Sequence, residues 1–423
     1  MPLLMYNVST WFNLIFLSLL AVVTTGRLWL AMRQIRFIQR HRAQVPPAFQ
    51  TRISLSEHQK AADYTCAKAK LRMAHLSVEA VLLFIFTQGG LLDALHLHIL
   101  EITGRGPLHD LALAGTILLI GALADLPTSL YGTFVIEAHF GFNRATPKVY
   151  WMDLLRETLI TILLGAPVFL AAIWMMDSLG PLWWLWAWAA WMAFNIVLMA
   201  LYPTLIAPLF NRFTPLPPGD LRDRVEALLQ RCGFRASGLF VMDGSRRSSH
   251  GNAYFTGFGR SKRVVFFDTL LSRLEPSETE AVLAHELGHF RRHHVLQKMG
   301  VLFILSLIFL ALLGWFKEAA WFYQGLGVTT PDTALALILF VLVVPVFAFP
   351  LQPIMSLYSR RHEFEADAYA AHQTPVQNLI SALVKLYQDN AATLTPDPLH
   401  SAVYDSHPPA AVRIARLESL ATA

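Results

Sequence analysis

The sequence predicts an all-α polytopic membrane protein with one small α+β region. Of its 423 residues, 55% are hydrophobic and only 15% are charged, whereas about 25% of the residues in soluble globular chains are charged. Seven stretches are long and apolar enough to cross a bilayer, which takes about 20 residues each. A single long polar segment interrupts them, so we expect most of the chain in lipid and one compact part outside it.

The seven predicted spans are separated mainly by polar loops. Residues 1–8 contain no positively charged side chain and no clean cleavage pattern follows, so we interpret the first stretch as an uncleaved span rather than a signal peptide. The long polar segment, 208–298, follows the fifth span. The predicted spans are Thr10–Met32, Ala74–Leu100, Leu111–Ile136, Leu154–Met176, Leu182–Ile206, Met299–Tyr323 and Thr333–Leu357.

Lysines and arginines are concentrated on alternate loops, and cytoplasmic loops carry this excess in membrane proteins. The loop between the first two spans is rich in them, and the segment after the fifth span is rich in arginine, whereas the opposite loops contain only Arg105 and Lys317. The first, third and fifth loops are therefore predicted to be cytoplasmic, together with the tail that begins near Ser359. The basic residues of the first loop are Arg33, Arg36, Arg40, Arg42, Arg52, Lys60, Lys68, Lys70 and Arg72.

Several predicted spans contain ionisable or strongly polar side chains. Such groups are costly in lipid and usually face the protein interior or water. We interpret His98 and Glu137 as residues at span ends that reach the interface. The deeper residues indicate a hydrated interior, and the whole set is Arg27, Glu79, Asp93, His96, Asp125, Arg156, Glu157 and Asn195.

The polar segment contains His285-Glu286-Leu287-Gly288-His289, the pattern H-E-x-x-H. On a helix, two histidines four residues apart share one face and can bind one zinc ion, and Glu286 can accept a proton from a zinc-bound water. Ser277 is the predicted cap of this helix. Two ordinary histidines are the alternative. His293 is a poorer partner because it lies about 12 Å along the axis from His285, and we interpret His293 and His294 as flank residues.

The residues before this helix are predicted to form a short helix followed by strands. Leu221–Cys232 has an apolar face, Leu239–Met242 is an apolar strand, and Asn252–Phe258 and Arg263–Phe267 are predicted to form a hairpin through Gly257 and Gly259. The free edge of such a strand can bind an extended peptide through main-chain hydrogen bonds. A purely structural hairpin is the alternative.

A catalytic zinc site usually has three protein ligands, so one more is needed. The segment Ser359–Ala370, which follows the seventh span, suits a helix and places Glu363 and Asp367 on one face. Glu363 can bind the ion while Asp367 accepts the free N–H of a ligand histidine. Glu365 is the rival ligand. A solvated helix face, with these acids paired to the preceding arginines, is the alternative without function.

With these residues identified, the chain resembles the integral-membrane zinc CAAX prenyl endopeptidases of type I. The resemblance implies zinc on His285, His289 and Glu363, Glu286 as general base, and His407 and Arg413 close to the substrate. It also implies an aqueous chamber enclosed by the seven spans, and a substrate-binding strand that contains Asn252, Ala253, Tyr254 and Phe255. The motifs that carry it are Val135-Ile136-Glu137, Gly141-Phe142-Asn143, Tyr202-Pro203, Pro208-Leu209-Phe210-Asn211, Ser248-Ser249-His250-Gly251-Asn252-Ala253-Tyr254-Phe255, the H-E-x-x-H, Ser359-Arg360 with Glu363 and Asp367, and Ser406-His407-Pro408-Pro409 with Arg413.

The resemblance predicts a membrane metalloendopeptidase with one zinc ion per chain and its active site on the cytoplasmic side. The compact loops are expected of a bacterial relative, which places the protein in the inner membrane, or in the endoplasmic reticulum if the source is eukaryotic. Two alternatives stay open: a quality-control peptidase with the same chemistry, and a transporter with structural zinc. No nucleic-acid module is present. The expected regions are 1–207, 208–298, 299–357 and 358–423.

Overall fold

A computed structural model describes residues 2–234, 236–256 and 263–422, with the side chains of residues 2–7 excepted. The described chain is mostly helical, with one small sheet. The helices are α1 (Pro2–His41), α2 (Leu55–Phe86), α3 (Leu91–Thr103), α4 (Pro107–Tyr131), α5 (Pro147–Ser178), α6 (Trp183–Leu201), α7 (Ala207–Phe210), α8 (Asp220–Arg231), α9 (Asp268–Leu271), α10 (Pro276–Arg291), α11 (His294–Lys317), α12 (Ala320–Gly325), α13 (Thr333–Ala348), α14 (Gln352–Gln373), α15 (Val376–Asp389), α16 (Pro398–Tyr404) and α17 (Ala410–Ala421), and the strands are β1 (Phe213–Pro215), β2 (Gly238–Met242), β3 (Ala253–Thr256) and β4 (Arg263–Phe267).

Six helical segments of the described chain are long and apolar enough to cross a membrane, and a bent helix pair makes a seventh. The prediction of seven spans is confirmed in this form. The bent pair is α2 and α3, which meet at 56°, so the prediction of one continuous span at Ala74–Leu100 was wrong. The chain breaks there because Thr87 leaves helical geometry and Gly90 takes a positive φ of 71°, which glycine adopts at little cost.

The last span continues directly into a helix of the peptidase region. Helix α13 ends at Ala348, and after a short turn at Phe349–Leu351 α14 runs to Gln373. The predicted end of this span, Leu357, therefore lies inside α14. Because α13 and α14 follow one another so closely, the position of Glu363 is set by a membrane helix.

The sheet has the strand order β1-β2-β4-β3. The predicted hairpin is confirmed as an antiparallel pair in which Ala253 faces Phe266 and Thr256 faces Arg263. Its turn, which contains Gly257 and Gly259, lies outside the described residues, as does Phe258. The parallel partner of β4 is β2, and β1 was not predicted. Strand β3 is at the edge of the sheet, so among the described residues its outer side has no strand partner.

The peptidase region and the membrane region each have a large apolar core of their own. Around the sheet, Val264, Phe266 and Leu283 are fully buried with residues of α8, α15 and α17. Between the spans, Phe16 and Leu339 are fully buried in a second core. Helix α10 belongs to the first core and contacts α14 extensively, so the two predicted zinc-binding segments pack directly on each other.

The membrane region also contains an open cavity of about 820 Å³, lined by both polar and apolar side chains. Its lining includes Arg27 and Asp125, which belong to the polar set predicted from the sequence, and His75, which does not. Glu137 lines it too and accepts a hydrogen bond from the hydroxyl of Tyr64. As predicted, Glu137 is the last residue of its span. Its side chain is 25% exposed and is also bound by the hydroxyl of Tyr64.

Candidate metal centre and active site

Helix α10 begins two residues earlier than the predicted cap suggests. Pro276 occupies its first turn and Glu275 is the N-cap residue, so the prediction of Ser277 as the cap was wrong. Proline is favoured at the first helical position because it has no N–H to satisfy there. The carboxylate of Glu278 accepts a hydrogen bond from the N–H of Glu275 at 2.8 Å, which closes the turn.

The three predicted ligands converge at one point. His285 Nε2 lies 3.2 Å from His289 Nε2 and 3.4 Å from Glu363 Oε2, and His289 Nε2 lies 3.3 Å from Glu363 Oε1. Ligands bound to tetrahedral zinc at about 2.0–2.1 Å are about 3.3–3.4 Å apart. Glu363 Oε2 is also buried without a hydrogen-bond partner among the described residues. The donor set therefore fits a zinc ion.

The glycine of the H-E-x-x-H motif allows α14 to approach α10. A Cβ added to Gly288 would lie 2.8 Å from Ala366 Cα and 3.0 Å from Ala366 O, distances that real side chains essentially never show. Ala366 is fully buried and stands between Glu363 and Asp367 on the facing helix. A larger residue at Gly288 would move α14 away and separate Glu363 from the histidines.

Asp367 and Arg413 lie behind His285. Asp367 Oδ1 accepts from His285 Nδ1 at 2.9 Å, which leaves Nε2 of that ring for a metal. Arg413 grips the same carboxylate through Nη2 at 2.6 Å and Nε at 2.9 Å, and its Nη1 lies 3.8 Å from Glu363 Oε2. The resemblance implied that Arg413 approaches the substrate. The geometry gives it mainly the task of holding Asp367, although it also lines the cleft.

His289 has a support that the sequence analysis missed. Its Nδ1 lies 2.9 Å from Nδ1 of His294, and His294 Nε2 lies 3.1 Å from Glu365 Oε2. His294 is 1% exposed and its ring stacks on His362 at 4.0 Å. The interpretation of His294 as a flank residue was wrong. Glu365, the rival ligand, instead lies behind His289. The signal was the histidine five residues after His289, which a four-residue spacing rule overlooks.

A cleft of about 260 Å³ opens onto the site, and Asn252, Ala253, Glu286 and His407 are among its lining residues. His407 Nε2 lies 3.4 Å from Glu363 Oε1, and this side chain is 61% exposed, so it stands at the mouth. Burial raises the pKa of Glu286 above its ordinary value. A raised pKa suits a group that must accept a proton and then release it.

The predicted substrate strand reaches the cleft through its first residues. Asn252 and Ala253 line the cleft. Tyr254 instead packs its ring 6.2 Å from that of Phe267, and Phe255 packs 5.4 Å from the ring of Phe234. The main chain of β3, rather than these two aromatic side chains, is therefore what the strand can offer to a peptide.

The chain matches two protein-family models that follow one another. Residues 34–212 match the CAAX prenyl protease N-terminal family, described as five membrane helices, and residues 215–421 match peptidase family M48. The first match ends and the second begins where the structure passes from the fifth span to β1.

Curated proteins and a solved structure are similar to most of the chain. A CAAX prenyl protease 1 homolog of Arabidopsis thaliana is 38% identical over 74% of each chain, and the Homo sapiens homolog is 31% identical over 96% of each. The crystal structure of S. mikatae Ste24p superposes with a TM-score of 0.88 at 30% identity, and the match covers 96% of this chain and 98% of that one. These relatives are eukaryotic, and the bacterial source expected from the short loops stays a prediction.

Proposed function

This chain belongs to the CAAX prenyl protease 1 family of M48 metallopeptidases, and we propose that it trims the C-terminal tail of prenylated proteins at one zinc ion. It is a multi-pass membrane zinc metalloendopeptidase of the CAAX-processing type. The observation that carries the proposal is the triad of His285, His289 and Glu363, whose nitrogen and oxygen atoms have the separations of zinc ligands and lie beside a cleft. A transporter with structural zinc does not fit membership of a peptidase family.

The catalytic roles follow from where each side chain stands. Bound zinc supplies a Lewis acid that polarises the scissile carbonyl and makes water more acidic. Glu286 lines the cleft beside His285, so we assign it to take a proton from water and return it to the leaving amine. His407 at the cleft mouth is assigned to donate to the oxyanion that develops on the carbonyl.

Two further residues hold the ligands in place. Asp367 accepts from His285 and fixes the tautomer that presents Nε2 to the metal. Arg413 is buried and neutralises Asp367 with two hydrogen bonds, so the carboxylate keeps its orientation. We therefore describe Arg413 as a positioning residue whose role in catalysis passes through Asp367 and His285.

The edge of β3 is proposed to align the substrate as an added strand. Its outer side has no strand partner among the described residues, and Asn252 and Ala253 are at the cleft. Main-chain pairing of this kind is tolerant of sequence, so we expect loose side-chain selectivity. The name of the relatives supports a prenylated substrate. The distribution of positive charge supports a cytoplasmic active site, in the inner membrane of a bacterium or the endoplasmic reticulum of a eukaryote.

The experiment is cleavage of a farnesylated CAAX peptide and of its unprenylated twin by the purified protein. Each peptide is incubated with the enzyme as prepared, with chelator, and with chelator followed by zinc. We expect chelator-sensitive cleavage of the farnesylated peptide that zinc restores, and slow cleavage of the twin. Equal rates for both peptides would contradict prenyl processing and favour a general membrane quality-control peptidase. Cleavage that chelator leaves intact would contradict the metal mechanism.

A further inference from the structure

A second histidine cluster lies at the other end of the membrane region. His96 on α3, His109 at the start of α4 and Asp332, which precedes α13, each offer one ligand atom, and these atoms lie within 4.8 Å of one another. Asp332 is separated from Glu363 by the length of α13 and the first half of α14, roughly 45 Å at 1.5 Å per residue. The cluster is therefore remote from the peptidase site.

Both histidines have a buried ring nitrogen to which none of the described residues is hydrogen-bonded. His96 is 2% exposed and His109 is 1% exposed. His96 Nδ1 and His109 Nε2 are buried without a hydrogen-bond partner among the described residues. Buried polar atoms nearly always have a hydrogen-bond partner, because an atom without one loses its hydrogen bonds to water and gains none in the protein. Two such atoms in adjacent rings, with centroids 4.9 Å apart, indicate a missing partner for both.

The neighbouring contacts prepare these atoms to bind a cation. His109 Nδ1 lies 3.0 Å from Asp110 Oδ1, so Nδ1 carries the proton and Nε2 keeps its lone pair. Metal-binding histidines generally have this carboxylate behind them. Asp332 Oδ1 accepts from the N–H groups of Ala334 and Leu335 as the cap of α13, and its Oδ2 takes no part in those bonds.

The charge around the cluster also favours a cation. The carboxylate of Asp110 lies 3.0 Å from His109, and Asp93 and Asp332 act electrostatically on His96, as does the positive side chain of Arg105 in the opposite sense. Two neutral imidazoles and one carboxylate are a common ligand set for zinc in proteins. The ligand atoms need only to draw together from within 4.8 Å to the roughly 3.3 Å separation of zinc ligands.

We propose that His96, His109 and Asp332 form a second zinc site, in which water fills the fourth position and the ion links three elements of the fold. The three residues come from different elements, α3, α4 and the residue before α13, so a bound ion ties the bent second span to the third and seventh. The chain then binds two zinc ions, one for catalysis and one at the opposite end. No step of peptide cleavage involves the second ion.

The proposal is tested by counting zinc in the full-length protein after dialysis against zinc at micromolar concentration. Metal content is measured by mass spectrometry on monodisperse protein. We expect two zinc ions per chain in the wild type and one in His285→Ala/His289→Ala, which removes the catalytic pair. Adding His109→Ala to that double variant is expected to leave none. Adding His98→Ala, an exposed histidine on α3, is the matched control and is expected to leave one.

A milder variant covers the case in which His109→Ala does not fold. Asn is as good a helix cap as Asp, so Asp332→Asn keeps the α13 cap while it removes the anionic ligand. In the double-alanine background, zinc is expected to raise the melting temperature, since a ligand that binds only the folded state stabilises it. Asp332→Asn is expected to abolish that shift. Zinc-free double-alanine protein, or a zinc ion and thermal shift that survive Asp332→Asn, would overturn the proposal.

Discussion

The two histidine clusters of this protein differ in how their members are brought together. In the peptidase site, His285 and His289 are one helical turn apart on α10 and only Glu363 comes from elsewhere. In the opposite cluster, His96, His109 and Asp332 come from three separate positions in the chain. The first cluster can be recognised from the sequence because one helix fixes the spacing of its two histidines. The second exists only because α3, α4 and the start of α13 meet.

The clusters also differ in how their polar atoms are satisfied. In the peptidase site Asp367 is bound by Arg413 and His285, and His289 contacts His294. Such support keeps ligands oriented for chemistry. In the opposite cluster each ligand ring has a buried nitrogen without a hydrogen-bond partner among the described residues, and a carboxylate lies behind His109. This contrast agrees with a catalytic role for the first cluster and with a role for the second in holding helices together.

The largest expected effect tests whether reactivity belongs to one cluster alone. Glu286→Gln removes the base but keeps its shape, so kcat/KM should fall by about 10³-fold, within the range for general acid–base catalysis, while zinc at the catalytic site is retained. Glu226→Gln, on the exposed face of α8, is the control and should leave activity within twofold. Peptide cleavage and metal content decide the matter, and turnover within tenfold of wild type would remove Glu286 from the mechanism.

A second variant breaks the support behind His285. Arg413→Gln removes both guanidinium hydrogen bonds to the buried carboxylate of Asp367 and the charge that neutralises it. Removing one partner of a buried ion pair typically costs about 3–5 kcal/mol, so the melting temperature in detergent should fall and zinc should be released to a weaker chelator. Arg416→Gln changes an exposed arginine on the same helix and should do neither. If both variants hold zinc equally well, the positioning role of Arg413 is wrong.

A smaller effect on zinc binding is expected when the residue that supports His289 is removed. His294→Ala removes the contact to His289 Nδ1, and loss of such a partner typically weakens metal binding about 10–100-fold. His293→Ala, an exposed neighbour, should bind zinc like the wild type. The measurement is zinc affinity by competition with a coloured chelator on the metal-free protein. Equal affinities of the two variants would reduce His294 to a packing residue.

The smallest effect concerns the stability of α10 rather than its chemistry. Burial alone would raise the pKa of Glu278, but hydrogen bonds from Lys385 at 2.7 Å and Ser381 at 2.6 Å outweigh it and hold the pKa below its ordinary value. Glu278→Gln should therefore lower the free energy of unfolding at pH 7 by about 1–3 kcal/mol.

The sign of the pH dependence follows from that lowered pKa. A carboxylate whose pKa is depressed in the folded state adds stability above its unfolded pKa, and that stability disappears as the pH falls through the folded value. The difference between wild type and Glu278→Gln should then shrink below about pH 4. Melting temperatures of both proteins from about pH 2 to about pH 7 check this, with the exposed Glu418→Gln as control. A difference independent of pH would contradict an ionic contribution.

The features that the sequence predicts depend on short-range rules. Twenty apolar residues identify a span, and a four-residue spacing identifies the face of α10 and pairs Glu363 with Asp367. The contact of Glu137 with Tyr64 was not predicted because the two residues are distant in sequence. His294 was missed for a related reason, since its contact to His289 depends on the left-handed backbone turn at His293, between α10 and α11.

By itself, the sequence determined that the chain spans a membrane several times, that α10 presents a metal-binding face, and which carboxylate lies one helical turn from Asp367. These follow from hydropathy and from the fixed 3.6-residue period of a helix. Only the tertiary structure decided that Gly288 brings α14 within reach, that α2 and α3 bend, and that His96, His109 and Asp332 meet. Those outcomes depend on how whole helices pack. Helix packing is determined by many contacts between residues that are far apart in the chain, and local sequence patterns do not contain that information.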